Sequence, residues 1–313
     1  MSTERVVAIC GGIGGAKLAL GLYRLLPPRA LTLIVNTGDD FEHLGLHVSP
    51  DIDTCHYTLS GLANQELGWG RADESWNFMA ALKSIGGDTW FRLGDRDLAL
   101  HVERTRQLAS GRPLSAVIAG FADRLGLNAE ILPMSEAPVR TLVDTDEGLL
   151  GFQDYFVRRR CAPRVRSISF DTAPDATIQP RARAALLAPD TTAIIICPSN
   201  PYLSIDPLLA VPGFAEALKG ATAPVIAVSP IIGGSAVKGP TAKIMQELGV
   251  EPSAATVAAH YAGLIDGFLL DERDVALAAE LSIPTRTADT LMTTLDDRIR
   301  VARAALEWAY QLP

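Results

Sequence analysis

The opening 35 residues constrain the fold more than any other part of the chain. Val6-Val-Ala-Ile-Cys10 is an unbroken apolar run of strand length, and Gly11-Gly-Ile-Gly-Gly-Ala-Lys17 follows it at once. A helical pattern then runs from Leu18 to Leu26 and stops at Pro27-Pro28, before a second apolar run, Leu31-Thr-Leu-Ile-Val35. A strand without polar alternation is buried on both faces. Two such strands joined through a helix form a βαβ unit, which demands a parallel sheet and a right-handed crossover.

Strand signals return at residues 165–170, 193–197, 224–228 and 267–270, with helical runs at 180–188 and 296–310. Between the first unit and these, residues 55–133 read as mostly helical, with runs at 76–84, 98–110 and 114–125. The predicted fold is therefore α/β: a three-layer, Rossmann-like, mainly parallel sheet with a helical insertion at about 55–133. Residues 1–313 are expected to form a single domain.

Charge narrows the partners. The net charge of −8 leaves no broad basic face for nucleic acid or an anionic membrane. The cysteines, Cys10, Cys55, Cys161 and Cys197, are scattered, with no CxxC pair, as suits a reducing compartment. The apolar run at residues 6–10 is too short for a signal segment, so a cytoplasmic protein is expected.

The loop after the first strand has a chemical reading. Glycines at 11, 12, 14 and 15 let backbone N–H groups approach an anion, and the start of the following helix adds a favourable dipole. Gly12, Gly14, Gly15 and Lys17 are thus candidate phosphate contacts. The loop is not the dinucleotide fingerprint, because Lys17 holds its third glycine position, and a tight turn packing helix on strand explains the same glycines. Asn36 stands where a ribose-binding acid would, which disfavours an NAD-dependent dehydrogenase.

The segment from Asn36 to Thr54 is the most unusual. It carries Asp39, Asp40, Glu42, Asp51 and Asp53 without one Lys or Arg, and it begins at the carboxyl end of a strand, where open α/β sheets bind ligands. Carboxylates gathered near phosphates call for a screening cation such as Mg²⁺. A solvated acidic loop is the plainer alternative. His43 and His47 have the spacing of a zinc pair, but Gly45 and Pro50 argue against the helix that would align them.

Three more clusters stand out. Arg92-Leu-Gly-Asp-Arg-Asp97 concentrates charge that can grip an anion or simply pair at the surface. Cys197-Pro-Ser-Asn-Pro201 follows an apolar strand, so Ser199 and Asn200 should project at the ligand edge. The stretch from Val228 to Pro240 is a second glycine loop, with Lys238 as a candidate phosphate contact.

Taken together, these motifs resemble the 2-phospho-lactate transferase family of coenzyme F420 biosynthesis. The matching segments are Gly-Gly-Ile-Gly-Gly-Ala-Lys17, Asn36-Thr-Gly-Asp-Asp40, Ser49-Pro-Asp-Ile-Asp-Thr54, Leu93-Gly-Asp-Arg-Asp97, Ile131-Leu-Pro-Met-Ser135, Pro198-Ser-Asn-Pro201, Ser229-Pro-Ile-Ile232 and Ala288-Asp-Thr-Leu-Met292. They run in order through nearly the whole chain. The resemblance implies a Mg²⁺-dependent transferase. Its donor is a guanosine diphosphate ester of lactate, enolpyruvate or glycerate, and its acceptor is the ribityl hydroxyl of the deazaflavin Fo. GMP is released, and a homodimer is expected.

The resemblance also suggests roles. Asp39 and Asp51 would face the metal, with Asp39, Asp51 and Asp53 as the catalytic carboxylates. Asp53 and Arg92 would contact Fo; Lys is also familiar at the latter position. Gly12, Gly14, Gly15, Lys17, Ser199, Asn200 and Lys238 would hold the donor's nucleotide and phosphates. Cys55 lies beside the motif, without a His to activate it. The competing reading is a UDP-sugar-binding regulator of the gluconeogenesis-factor type, which shares the glycine loop and sheet. The segments 49–54 and 92–97 associate the chain with the transferase branch instead.

Overall fold

The computed structural model describes residues 5–66, 68–173, 175–236 and 240–312. The central sheet contains β1 (Arg5–Cys10), β2 (Leu31–Val35), β3 (Glu130–Pro133), β4 (Thr191–Ile196), β5 (Val225–Val228), β6 (Gly267–Asp271) and β7 (Thr285–Ala288). All seven pair in parallel, in the order β7-β6-β5-β4-β1-β2-β3. The chain builds outward from β1 through β2 to β3, then returns to start β4 on the other side of β1. That reversal opens a crevice beyond the carboxyl ends of β1 and β4, the place where such sheets take ligands.

Helices cover both faces, as the apolar strands require. On β1, Val6, Ala8 and Cys10 pack toward one layer while Val7 and Ile9 pack toward the other. The first layer holds α1 (Gly12–Leu25), α2 (Pro50–Ser60), α3 (Asp95–Ala109), α4 (Leu114–Arg124) and α5 (Leu295–Ala309). Of these, α1, α2, α4 and α5 contribute directly to its apolar core. Pro180–Leu186, Phe214–Lys219 and Ala254–His260 pack on the opposite face. Among the described residues, no helix is long and apolar enough to cross a membrane.

The α/β reading holds, with two corrections. The strand expected at residues 165–170 does not join the central sheet. Val165–Thr172 pairs antiparallel with Val139–Thr145, which also pairs with Gly148–Gly151. Its residues alternate between buried or half-buried and exposed, and a strand wetted on one face suits an antiparallel sheet, not the interior of a parallel one.

The insertion also has different edges. The acidic segment before it folds into a hairpin, Phe41–His43 with Leu46–Val48, and α2 runs across its expected start at residue 55. Its last four residues form edge strand β3, where Pro133 costs no ladder bond. As Gly45 and Pro50 indicated, His43 and His47 lie not on a helix but on the antiparallel ladder of this hairpin. His47 Nε2 lies 3.2 Å from Asp40 Oδ2 and 3.1 Å from Ser49 Oγ, not in a helical metal pair.

Candidate active site

A cleft of about 470 Å³ lies at the crevice between β1 and β4. One wall carries Gly11, Gly12, Gly14 and Lys17 from α1 and the loop before it. Asp39, Asp51, Asp53 and Asp97 form an acidic wall, and Tyr57, Trp69, Phe91, Phe152 and Phe156 supply an aromatic one. Ser199 and Asn200 come from the loop after β4.

The acids divide by direction. Asp51 and Asp53 sit in the first turn of α2, two residues and hence about 200° apart around the axis. Asp51 points at the glycine loop. Its Oδ1 accepts the Gly12 N–H at 2.7 Å, and its Oδ2 accepts the Asn36 side-chain amide at 2.9 Å. Burial nevertheless pushes its pKa up to about 6, against those two bonds. Asp39 is buried, its Oδ1 has no hydrogen-bond partner among the described residues, and burial, then the neighbouring Asp51, hold its carboxyl well above the usual range. Two crowded carboxylates that resist ionising, one with an orphaned oxygen, are a donor set suited to a hard divalent cation.

Asp53 instead faces a buried network. Its Oδ1 accepts from the Arg104 guanidinium, which is fully buried, while Oδ2 lies 3.7 Å from His101 Nδ1 with no hydrogen bond among the described residues. Burial raises the Asp53 pKa, and Arg104 and His101 oppose that rise. His101 Nε2 approaches Asp97 at 3.2 Å, and the Tyr57 hydroxyl donates to Asp97 at 2.5 Å. Asp53, Asp97 and His101 could also gather round an ion. The guanidinium on Asp53 already balances that charge, so the second pair, Asp39 and Asp51, has the greater need of a cation.

A family model described as 2-phospho-L-lactate transferase CofD matches residues 6–303. The chain belongs to the 2-phospho-L-lactate transferase family. It is similar to proteins named phosphoenolpyruvate transferase from Streptomyces griseus, 41% identical over 98% of this chain and 99% of that one, and from Kitasatospora aureofaciens, 42% identical over 98% of each. It is 36% identical to the 2-phospho-L-lactate transferase of Methanosarcina mazei, over 96% of this chain and 99% of that one. Among solved structures, a UPF0052-family protein from Bacillus halodurans shares the fold. Its TM-score is 0.62 at 16% identity, covering 97% of this chain and 100% of the other. The transferase reading of the motifs is therefore correct at the level of the family: a phosphotransferase of coenzyme F420 biosynthesis.

Several expected donor contacts of this transferase are engaged in building the loops. Ser199 Oγ accepts the Gly11 N–H at 3.1 Å and donates to the Gly11 carbonyl at 2.8 Å, tying the loops after β1 and β4 together. Asn200 Oδ1 accepts the Tyr202 and Leu203 amides, and its Nδ2 donates to Thr241 Oγ1. Glycine is needed at 14 because a Cβ there would sit 2.5 Å from the Pro198 carbonyl oxygen, and at 15 because one would meet Ser199 Oγ at 2.5 Å. Close packing of helix on loop thus explains Gly14 and Gly15 directly. Gly12, at φ +65°, aims its N–H at Asp51.

Lys17 lines the cleft and donates to the Met292 carbonyl at 2.9 Å. Arg92 also lines it, stacked 4.0 Å above the Trp76 ring. Lys238 lies outside the described residues.

The 92–97 cluster is largely helix capping. Asp95 accepts the Asn77 and Phe78 amides, and Glu74 accepts those of Arg96 and Asp97. Cys55 is no nucleophile: the Cys10 thiol 3.7 Å away, then burial, push its own thiol well above the ordinary range. Sequence reading missed Arg104 and the network around it. The signal was there, since 97, 101 and 104 follow the i, i+4, i+7 spacing of one helix face.

Proposed function

We propose that this transferase moves a phospho-(three-carbon acid) group from a guanosine diphosphate ester to the terminal ribityl hydroxyl of Fo. The hydroxyl oxygen forms the new bond to the phosphorus bearing the acid, the bond from that phosphorus to GMP breaks, and the hydroxyl proton leaves to a carboxylate. The observation that carries this reading is one cleft joining the glycine loop to buried carboxylates and an aromatic wall, in a chain of this family. A loose phosphoryl-type transition state needs alignment and charge neutralisation more than covalent help.

Asp39 and Asp51 are the residues that would hold Mg²⁺, which when bound neutralises diphosphate charge. Asp53, which lines the cleft, would face the ribityl hydroxyl, while Arg104 fixes its Oδ1. The aromatic wall suits the flat deazaflavin, with Arg92 at its edge. For the acid we propose enolpyruvate, because relatives named phosphoenolpyruvate transferase are 41% and 42% identical, against 36% for the lactate-named one.

The test supplies purified protein, Mg²⁺ and Fo with the lactyl, enolpyruvyl and glyceryl donors side by side, and measures GMP release. The enolpyruvyl ester is expected to turn over fastest. No turnover with any of the three, together with tight UDP-sugar binding, would replace the enzyme with the regulator.

A further inference from the structure

A smaller pocket of about 140 Å³ adjoins the cleft and shares Ile13, Lys17, Tyr57 and Trp69 with it. Its remaining wall includes Asn64, Gln65, Thr293 and Arg298, and no carboxylate lines it among the described residues. Arg298 is the anomaly. It is only 8% exposed, yet its guanidinium makes no hydrogen bond or ion pair among the described residues, and its Nε is buried without a partner. The other deeply buried arginine, Arg104, has Asp53 for exactly this purpose.

Among the described residues, no acid bonds to this cation. Arg298 is the fourth residue of α5, in the first turn, where the helix dipole opposes positive charge. The nearest acid in sequence, Asp297, is engaged with the amides and hydroxyl of Thr293 and Thr294 and with Arg300. Burial opposes the Arg298 cation and the charge of Asp297 only partly offsets that, so an anion bonded to the guanidinium from the pocket would complete the site. The pocket is too small for a nucleoside and large enough for a three-carbon acid. A planar guanidinium fork beside neutral amide and hydroxyl groups matches a carboxylate, which it can hold through two bonds at once.

We infer that this pocket is an anion subsite in which Arg298 holds the carboxylate of the small acid on the donor. The identity of that acid rests on the transfer reaction proposed above; the subsite itself rests on Arg298. Lys17, at the shared edge, adds positive charge between the acid and the phosphates.

The full-length chain and its Arg298→Gln and Arg298→Lys variants are titrated with phosphoenolpyruvate and, separately, with inorganic phosphate and GDP. The readout is tryptophan fluorescence, since Trp69 lines the pocket. Phosphoenolpyruvate affinity should fall about 10- to 100-fold in Arg298→Gln and recover in part in Arg298→Lys, while GDP affinity changes less than about twofold. The melting temperature of Arg298→Gln should equal or exceed that of the parent, because an unpaired buried charge is removed. A structural role would lower it.

Unchanged phosphoenolpyruvate affinity, or an equal loss for GDP, overturns the subsite. Phosphate binding as tight as phosphoenolpyruvate, and equally weakened, overturns the carboxylate assignment. A parent chain that binds phosphoenolpyruvate through Arg298 but releases no GMP would leave the subsite standing and remove the transfer reaction.

Discussion

Single side chains carry the clearest consequences. Asp51 has a folded pKa of about 6 against an ordinary 3.8. Below pH 4 both folded and unfolded chains hold this proton. As pH rises from 4 to 6 the unfolded chain releases it first, so folding is progressively disfavoured, by about 3 kcal/mol once pH exceeds 6. Asp51→Asn lacks that loss. Urea unfolding from pH 4 to 7.5 without metal should show parent stability falling relative to the variant across that window, and Mg²⁺ should restore it. Parallel pH profiles would mean Asp51 ionises normally. In turnover, Asp51→Asn should lower Mg²⁺ affinity or activity by at least about 10- to 100-fold with the fold intact. In the cleft, Arg92→Ala should raise the KM for Fo severalfold and leave that for the donor unchanged, since Arg92 is held over the Trp76 ring on the proposed Fo side. Equal effects on both substrates would displace it from the Fo side.

At the scale of elements, the crossing of α1 and α5 sets where the glycine loop and Arg298 meet. A Cβ on Gly21 would collide with the Arg298 carbonyl and press on the Ala302 methyl. Gly21→Ala should therefore destabilise the protein by about 1–3 kcal/mol and lower its melting temperature by several degrees in calorimetry. A variant melting with the parent would show that the helices separate freely. The pairing of Arg104 with Asp53 ties α3 to α2 in the same way, by charge instead of close approach.

For the whole molecule, the crevice at the chain reversal has loops from both halves of the sheet, so ligand binding couples them. GDP with Mg²⁺ at about 100 times its dissociation constant should stabilise the chain by about 2.7 kcal/mol, raising its melting temperature, while UDP-sugars leave it unmoved. The reverse order would favour the regulator. This architecture was readable because β1, β2, β4, β5 and β6 are mainly apolar and buried on both faces, without polar alternation. β3 and β7 escaped notice because each is a four-residue edge strand, with one neighbour and little apolar signal.

By itself the sequence determined the α/β class, the βαβ start, the family and the stretch of acids at the crevice. These are local or cumulative properties, written in periodicity and ordered motifs. Only the tertiary structure decided what each polar group faces. It turned Asp51 toward Gly12 and Asn36 and Asp53 toward Arg104, because α2 rotates them apart. It engaged Ser199 and Asn200 in holding loops together, and it left Arg298 beside a pocket that no carboxylate lines among the described residues. Apart from the local turn at Asn200, these bonds join residues 15 to 188 positions apart, a range over which no spacing rule operates.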